Sequence, residues 1–344
     1  MHNYNKKLLL NSEIIKRKLP DNVSKYDYKI FKEDLKKKFN KVYYYEINNF
    51  NFFNNNYFDI NSKKILFDFL QIENISNFRF IKKIILLIFF YLKKFIKLID
   101  KKEEIEKGII IHNRQSSGYF HWVNDILPKI TIIKKLKKFD KYPIILPENL
   151  KSNFHFESLK LLNMNFIKQK KNLTIKKAIY IPDLSPSGSP RPKILKLFSD
   201  KLKKFSKEKK LQKIYISRRK SRRKIVNENQ LIKILLKHNF KIYFMEDLKF
   251  IDQISICNSA KVLIGLHGAG LTNSMWMKKN SILLEIRPRN EFNLNCYFAL
   301  ANILKLKYYY FFCKKKTFFK SVTNSNYFLD TIRFKKEFYN ILKL

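Results

Sequence analysis

The chain has 344 residues and a formal net charge of +44, from 72 Lys and Arg against 28 Asp and Glu. Hydrophobic residues make up 45% of it, which excludes a disordered polar chain because there is enough apolar surface to bury. The three cysteines, Cys257, Cys296 and Cys313, form no CxxC pair. This excludes a small disulfide scaffold and favours free thiols in a reducing compartment. The length predicts two ordinary domains or one large one.

The positive charge comes almost entirely from lysine, with 61 Lys against 11 Arg. These lysines are scattered among Ile, Asn, Phe and Tyr, which share AT-rich codons, so an AT-rich genome is one explanation of much of the charge. A basic surface attracts anions such as phospholipid, acidic glycan or a sugar nucleotide, but it does not select among them. A basic nucleic-acid-binding protein is therefore one alternative that the composition leaves open.

The apolar segments are too short to cross a membrane. The first 20 residues contain a run of three leucines, which is too short for a signal-peptide core. In the most apolar region, Ile81 to Ile99, the uninterrupted run is nine residues, whereas a bilayer span needs roughly 20. This region is either a core helix or a basic amphipathic helix on an anionic membrane. We therefore expect a cytoplasmic protein, with peripheral contact at the inner membrane face as an option.

From Gly108 onward, short apolar runs alternate with helical patterns, which predicts βαβ units and a parallel sheet. A loop rich in proline and serine, Ser185 to Pro192, interrupts this alternation. The predicted strands cover 108–112, 142–147, 177–182, 213–217, 241–245, 261–265, 281–286 and 308–312. Parallel sheets of this kind bind ligands at the carboxyl ends of their strands, so the loops there are candidate sites.

One strand-to-helix turn holds half of the glycine of the protein. Three of the six glycines fall between Gly265 and Gly270. Glycine lets the backbone approach a ligand closely, and a helix start supplies N–H donors and a positive dipole end for phosphate. We therefore predict a phosphate site, with a structural turn as the alternative. Its residues are His267, Gly268, Ala269, Gly270, Leu271, Thr272 and Asn273.

Two features near this turn extend the predicted phosphate site. The segment Tyr215 to Lys224 contains four of the 11 arginines, and the Arg fork matches phosphate oxygens better than Lys does. Arg218 and Arg223 are the first candidates for a diphosphate, and a solvated charge run is the alternative. Glu285, near the end of the next strand, is a candidate ribose acceptor or a solvent-facing strand end.

A histidine and an aspartate lie four residues apart in the segment Gly118 to Ile130. A helix places His121 and Asp125 on one face, where they either serve as a general base or brace the helix. A long helix interrupted at Pro128 is predicted from Tyr119 to Phe139.

The order of these motifs resembles glycosyltransferase family 61. The resemblance extends from His112 to Phe312 and is most specific between Ile214 and Pro288, whereas residues 1–105 carry none. The family includes protein O-linked N-acetylglucosamine transferases and plant xylosyl- and arabinosyltransferases. The resemblance implies an α/β, GT-B-like fold, in which two Rossmann-like domains with parallel sheets face each other across a cleft. We expect an acceptor-side domain in 1–190 and a nucleotide-sugar domain in 191–330. A C-terminal helix, 331–344, is expected to cross back to the first domain.

The resemblance also implies an inverting transfer of a hexose or pentose. No DxD-like metal motif stands at a strand end, so we expect the transfer to be independent of metal. The donor is a nucleoside-diphosphate sugar, with a UDP-sugar favoured, and no other cofactor is expected. The acceptor is a glycan, a lipid-linked sugar or a protein, and surface polysaccharide synthesis is the expected setting. Asp125 is the expected base, with His121 second or as its partner, and no nucleic-acid partner is expected. A non-catalytic member of the family stays an alternative, as does a dinucleotide oxidoreductase, which HGAGLTN fits poorly because it lacks GxGxxG spacing.

Overall fold

The computed structural model describes residues 4–53, 56–59, 64–65, 103–113, 115–169, 172–207, 210–289, 295–316 and 325–342. These residues form two sheets with helices packed between and around them, so the predicted α/β class is confirmed. The apolar region Ile81 to Ile99 lies outside the described residues. Among the residues that are described, no helix is long and apolar enough to cross a membrane.

The C-terminal sheet is built as the alternating sequence pattern predicts. Its strands are β11 (Gln212–Ile216), β12 (Phe240–Tyr243), β13 (Ala260–Leu266), β14 (Ile282–Pro288), β15 (Lys307–Lys315) and β16 (Tyr327–Phe328). Their spatial order is β12-β11-β13-β14-β15-β16, and β11 to β15 pair in parallel. The chain reverses its direction of travel across the sheet between β11 and β13. In doubly wound sheets, this switch point opens the crevice that binds ligands.

Helices connect the strands of this sheet. They are α5 (Pro192–Lys203), α6 (Glu228–Leu236), α7 (Phe250–Asn258) and α8 (Cys296–Leu304), with 3-10 helices at Met245–Asp247 and Ala269–Trp276. The strand interiors are nearly continuous runs of buried residues, as in Ala260–Leu266. This is the pattern of a parallel sheet covered on both faces.

The N-terminal sheet is mixed, which differs from the parallel sheet expected here. Its strands are β1 (Tyr4–Leu10), β4 (Val42–Phe53), β5 (Asn56–Asp59), β6 (Lys64–Ile65), β7 (Glu103–Ile110), β8 (Ile144–Leu146), β9 (Phe166–Lys168) and β10 (Asn172–Tyr180). Strands β10, β7, β8 and β9 are parallel, whereas β4 pairs antiparallel with β1, β5 and β10. The aromatic, Asn-rich sequence of β4 has no clear period, so it could not be predicted. The two-Rossmann arrangement therefore stays a prediction for this half.

The helical segments of this half face the C-terminal sheet. A short α2 (Tyr119–His121) continues into a π-helical turn (Trp122–Ile126) and then α3 (Pro128–Lys135), and α4 (Asn153–Leu161) follows β8. The predicted helix from Tyr119 to Phe139 is thus present, but it is broken and shorter. π-helical turns are rare and occur frequently at functional sites.

Part of the N-terminal segment packs on the C-terminal half of the chain rather than on the N-terminal sheet. It includes β2 (Glu13–Lys16), α1 (Tyr28–Leu35) and β3 (Lys36–Phe39). The ring of Phe31 lies 5.0 Å from that of Phe298, and the amide of Asp21 donates to the carbonyl of Tyr308 at 2.9 Å. A division of the chain at residue 190 therefore leaves part of the first segment packed on the second half.

The C-terminal helix α9 (Thr331–Leu342) belongs to the core of the C-terminal half, whereas the sequence predicts a helix that crosses back to the first domain. Its buried face packs on the C-terminal sheet, where the ring of Phe334 lies 5.2 Å from that of Phe311. Phe338 lies 5.7 Å from Phe240. The apolar stripe of α9 is thus buried against the helix and strands next to it, and it extends the core of this half.

Candidate functional site

A cleft of about 570 Å³ lies at the carboxyl edge of the C-terminal sheet. It opens at the switch point between β11 and β13, and α2 and α4 of the other half form its opposite wall. Its lining comprises Tyr119, Ser152, Asn153, Phe154, Glu157, Ile216, Ser217, Arg218, Lys220, Ser221, Met245, Glu246, Asp247, Leu248, Lys249, Gln253, Ala269, Gly270 and Asn273. Both halves of the chain therefore contribute to one concave site, as ligand sites in open α/β sheets do.

Arg218 places a cation in this cleft. Its Nε donates to the carbonyl of Arg223 at 3.2 Å, and its guanidinium covers the backbone of Gly268. Among the described residues, no carboxylate lies within ion-pair distance of Arg218. Burial and the neighbouring Arg223 cation lower the pKa of Arg218, although arginine stays charged at neutral pH. The remaining N–H groups are therefore available to an anion in the cleft.

The glycine-rich turn is held in the geometry that the sequence predicts. Gly268 has a φ of +153°, and its carbonyl accepts from the Tyr297 hydroxyl at 2.6 Å and from the amide of Leu271. Ala269 and Gly270 line the cleft at the first residues of the 3-10 helix, where backbone N–H groups lack partners within the helix. This helix start and Arg218 together form an anion-binding edge.

Arg223 supports this edge from behind rather than lining the cleft. Its side chain is buried, and Nη1 donates to the carbonyl of His267 at 2.7 Å. Its Nε has no hydrogen-bond partner among the described residues. The predicted direct contact of Arg223 with a diphosphate thus stays a prediction, and the geometry places Arg218 in front of it.

Three residues of the predicted loop point into the protein. Leu271, Thr272 and Asn273 are each 1% exposed or less. The Asn273 amide donates to Gln253 at 2.9 Å, and its oxygen accepts from the Tyr119 hydroxyl at 2.7 Å. These side chains fix the helix and connect it to the opposite wall. A direct contact of Thr272 or Asn273 with a ligand stays a prediction, and the structure shows that the side chain of Asn273 already has two protein partners.

Glu285 is wholly buried and paired with His267. Its Oε1 accepts from Nδ1 of His267, and its Oε2 accepts from the Tyr308 hydroxyl. Burial raises the pKa of Glu285, but His267 and the nearby Arg287 outweigh this and hold it below its usual range. Neither a ribose contact nor a solvent-facing strand end fits a carboxylate whose two oxygens are occupied inside the core. The structure therefore corrects the sequence interpretation of this residue.

His121 and Asp125 form a hydrogen-bonded pair, as their spacing predicts. Nδ1 of His121 lies 2.9 Å from Oδ2 of Asp125, and the Asn124 amide donates to the other carboxylate oxygen at 2.7 Å. Ser187, in the loop after β10, donates to the same Oδ2 at 2.7 Å. The imidazole is the more accessible partner, at 26% exposure against 7% for the carboxylate. Asp125 therefore orients His121, and the imidazole is the part of the pair that solvent reaches more readily.

A line of aromatic rings joins the two imidazole–carboxylate pairs. The Phe120 ring lies 5.1 Å from the His121 ring and 5.9 Å from the Tyr297 ring. Tyr297 in turn lies 5.1 Å from the His267 ring. The rings of Phe120 and Tyr297 thus connect the two histidines through successive edge-to-face contacts.

Several site residues were missed by the sequence interpretation. The clearest examples are Ser187, which lies in a serine-rich loop, and Tyr297, which lies in an apolar helix. Neither sequence context indicates a functional role. Glu228 is the third missed residue. Its carboxylate accepts hydrogen bonds from Tyr215 at 2.6 Å and from Ser217 at 2.9 Å, and so it fixes the base of the arginine loop. Its position directly after Asn227, within the ordered motifs, was the available signal.

Clusters of metal-ligating side chains are also informative. Across the part of the chain that the structure describes, no three His, Cys, Asp or Glu side chains lie together in a metal-binding arrangement. The cationic residues that line the cleft are Arg218, Lys220 and Lys249, and Lys220 pairs with Asp247.

The architecture is thus that of an α/β protein with a cleft at a switch point, lined by Arg218 and the start of a 3-10 helix. Residues 119–284 match the family model described as glycosyltransferase 61. This segment contains the His121–Asp125 pair, the arginine loop and the glycine-rich turn, and it ends just short of Glu285. The resemblance of the chain to glycosyltransferase family 61 is therefore confirmed.

Curated relatives match a shorter stretch. An EGF domain-specific O-linked N-acetylglucosamine transferase from Drosophila melanogaster is 32% identical over 104 residues, which cover 29% of this chain and 20% of the relative. Proteins of the same name from Canis lupus familiaris and Gallus gallus are 30% and 29% identical over 107 residues, or 30% of this chain and 20% of each relative. The match thus spans about a fifth of the length of these relatives.

Proposed function

We propose that the protein is an inverting glycosyltransferase that moves a sugar from a nucleoside-diphosphate sugar to a hydroxyl of a glycan, a lipid-linked sugar or a protein. The observation that carries the proposal is the Arg218 guanidinium, which lies against Gly268 at the switch point with no carboxylate partner among the described residues. An Arg fork beside a helix start is complementary to a diphosphate. The match to glycosyltransferase 61 supports the same class of reaction.

The second half of the proposal identifies the groups that remove the proton from the acceptor hydroxyl. The acceptor hydroxyl attacks the anomeric carbon, so a new C–O bond forms on the face opposite the departing diphosphate. The His121–Asp125 pair takes the hydroxyl proton, and the electrons of the breaking bond go to the diphosphate oxygen. Asp125 holds Nδ1–H of His121, which leaves Nε2 to act on the acceptor. A single displacement of this kind inverts the anomeric configuration.

The leaving diphosphate gains negative charge as the bond breaks. Arg218 and the helix start at Ala269 are fixed in place before reaction, so they stabilise this charge with little reorganisation. We propose that this stabilisation suffices without a metal. Activity retained in a chelator supports this part, and activity that is lost and then restored by a divalent cation contradicts it.

The class of enzyme and the net charge of the chain bear on its biological setting. A +44 chain has affinity for anionic glycans and membrane surfaces, where lipid-linked acceptors reside. We therefore propose a role in surface polysaccharide synthesis. The protein acceptor in the names of the curated relatives is the alternative acceptor class.

A thermal-shift comparison tests the donor class. Purified protein is melted with UDP-, GDP-, ADP- and CMP-linked sugars, and separately with duplex and single-stranded DNA. We expect one nucleotide sugar to raise the melting temperature by several degrees, and its effect to survive moderate salt. Stabilisation by nucleic acid alone that disappears with salt would instead indicate non-specific binding to the basic surface. Salt-resistant stabilisation by nucleic acid alone would contradict the proposal.

A further inference from the structure

His267 and Glu285 form a second imidazole–carboxylate pair, buried directly behind the glycine-rich turn that lines the cleft, and the proposed base does not use it. The carboxylate is 0% exposed and is held by both His267 and Tyr308. The His267 side chain keeps 8% exposure, although its backbone lies in the glycine-rich turn. A carboxylate buried this deeply is costly unless a charged or strongly polar partner compensates it, so the pairing calls for an explanation.

The hydrogen bonds determine which nitrogen of His267 faces a ligand. Glu285 has no proton to donate when it is ionised, so Nδ1 of His267 must carry the hydrogen that joins them. Nε2 is then the nitrogen left for a ligand. Among the described residues no hydrogen bond to Nε2 is found. A neutral His267 presents a lone pair there, and a protonated His267 presents an N–H donor.

The surroundings of His267 shift its pKa in opposite directions. Burial is the largest influence and lowers the pKa of His267, and Arg223 and Arg287 lower it further, whereas Glu285 raises it. Tyr297 packs on the ring at 5.1 Å, and Tyr308 donates to Glu285. Together these groups favour a neutral imidazole next to an ionised carboxylate. A diphosphate arriving beside Gly268 adds negative charge and shifts the balance toward the imidazolium.

We propose that His267 takes up a proton when a nucleoside-diphosphate sugar binds, and that Glu285 is the positioning residue that makes this possible. The proton comes from solvent and becomes the Nε2–H that donates to a phosphate oxygen. Glu285 fixes the ring orientation and stabilises the cation. This inference rests on the proposed function, because it takes the diphosphate of the donor as the anion.

Calorimetry measures the proton directly. UDP-N-acetylglucosamine is the first probe, because its diphosphate diester does not titrate near neutral pH, unlike free UDP. Binding enthalpies are measured at about pH 8 in HEPES and in Tris, and their difference gives the number of protons taken up. We expect uptake of more than about half a proton for the wild-type protein. The other nucleotide sugars are measured in the same way if this one does not bind.

Variants then assign the proton to the pair. We expect Glu285→Gln to abolish most of the uptake and to weaken binding by about tenfold, since an amide does not stabilise the imidazolium. Tyr308→Phe is the milder variant, and it should reduce the uptake without removing it. His238→Gln is the matched control, because His238 lies at the end of α6 and packs on Tyr339, and it should leave the uptake unchanged.

The outcomes separate this inference from the proposed function. Binding of a nucleotide sugar with no proton uptake overturns the role of His267 and Glu285, while the donor class stands. Uptake that is undiminished in both the Glu285 and Tyr308 variants also overturns it. If no nucleotide sugar binds to the folded protein, the donor class fails and this inference fails with it. A ¹⁵N spectrum of the histidines gives an independent reading, because Nδ1 of His267 must be protonated in the free protein.

Discussion

The guanidinium of Arg218 covers Gly268 so closely that a Cβ at Gly268 would lie 2.2 Å from Nη1. The backbone at this glycine, with φ of +153°, is also one that L side chains rarely adopt. Arg218 and Gly268 therefore form one structural unit. Because Gly268 has no side chain, the Arg218 guanidinium can occupy its position in the cleft.

Gly268→Ala is expected to remove donor binding. The new methyl would clash with the guanidinium and strain the backbone, so Arg218 must move and stability should fall by about 1–3 kcal/mol. Gly118→Ala is the matched control, because a Cβ at Gly118 makes ordinary contacts of 3.5 Å and 3.6 Å. Chemical denaturation and nucleotide-sugar titration measure both effects. Equal behaviour of the two variants would contradict the pairing.

Arg218→Ala is expected to weaken nucleotide-sugar binding by about 10- to 100-fold, since a charge-assisted hydrogen bond contributes about 1.5–3 kcal/mol. Arg218→Lys should recover little of this, because lysine lacks the planar fork. The control is Arg222→Ala, which removes the same charge from an exposed position in the same loop. Titration at two salt concentrations distinguishes the contact from general attraction. A loss of equal size in the Arg222 variant would show that net charge alone matters.

Asp125→Asn is expected to lower kcat by about 10²- to 10⁴-fold, since the pair then lacks the charge that supports His121 as a base. The affinity for the donor should change little, because Asp125 contacts His121, Asn124 and Ser187. Steady-state transfer measured over a range of donor concentrations separates the two parameters. Normal turnover on the true acceptor would show that the base is elsewhere.

Buried His112 should make the protein sensitive to acid. Burial and the cation of Lys129 lower the pKa of His112 to about 3. The unfolded chain, with a histidine pKa near 6.5, therefore binds this proton first, and stability falls as the pH drops from about 6.5 toward about 3. The expected slope from this residue is up to about 1.4 kcal/mol per pH unit.

Denaturation curves of the wild-type protein and His112→Gln over this pH range measure that slope. The carboxylates of the two proteins are the same, so the difference between the curves isolates His112. We expect the variant to lose less stability on acidification, whatever its stability at neutral pH. Parallel curves would show that His112 is not neutral in the folded protein.

Local rules were sufficient to predict the C-terminal half of the fold. Runs such as Ala260–Leu266 and Ile282–Pro288 are apolar throughout and bounded by turns, so strand type and parallel pairing follow from the pattern. The same rules placed the glycine-rich turn and Arg218 at one edge of a sheet. The His121–Asp125 pair followed from helical spacing alone.

The rest depended on contacts between residues distant in sequence. Whether Asn273 faces a ligand or the core was decided by Tyr119 and Gln253, which lie 154 and 20 residues away. Glu285 is likewise fixed by His267 and Tyr308 on neighbouring elements. A sequence pattern identifies a polar residue at a strand end, but it does not show which partner satisfies it.

A donor-hydrolysis screen across nucleoside-diphosphate sugars tests the central claim most directly. Wild-type protein and Arg218→Ala are incubated with each donor, without acceptor, and the released nucleoside diphosphate is measured. The account predicts that the wild-type protein hydrolyses at least one donor slowly and that the Arg218 variant loses at least about tenfold of this rate. Hydrolysis of no donor by folded wild-type protein, or equal rates in the two proteins, would contradict it.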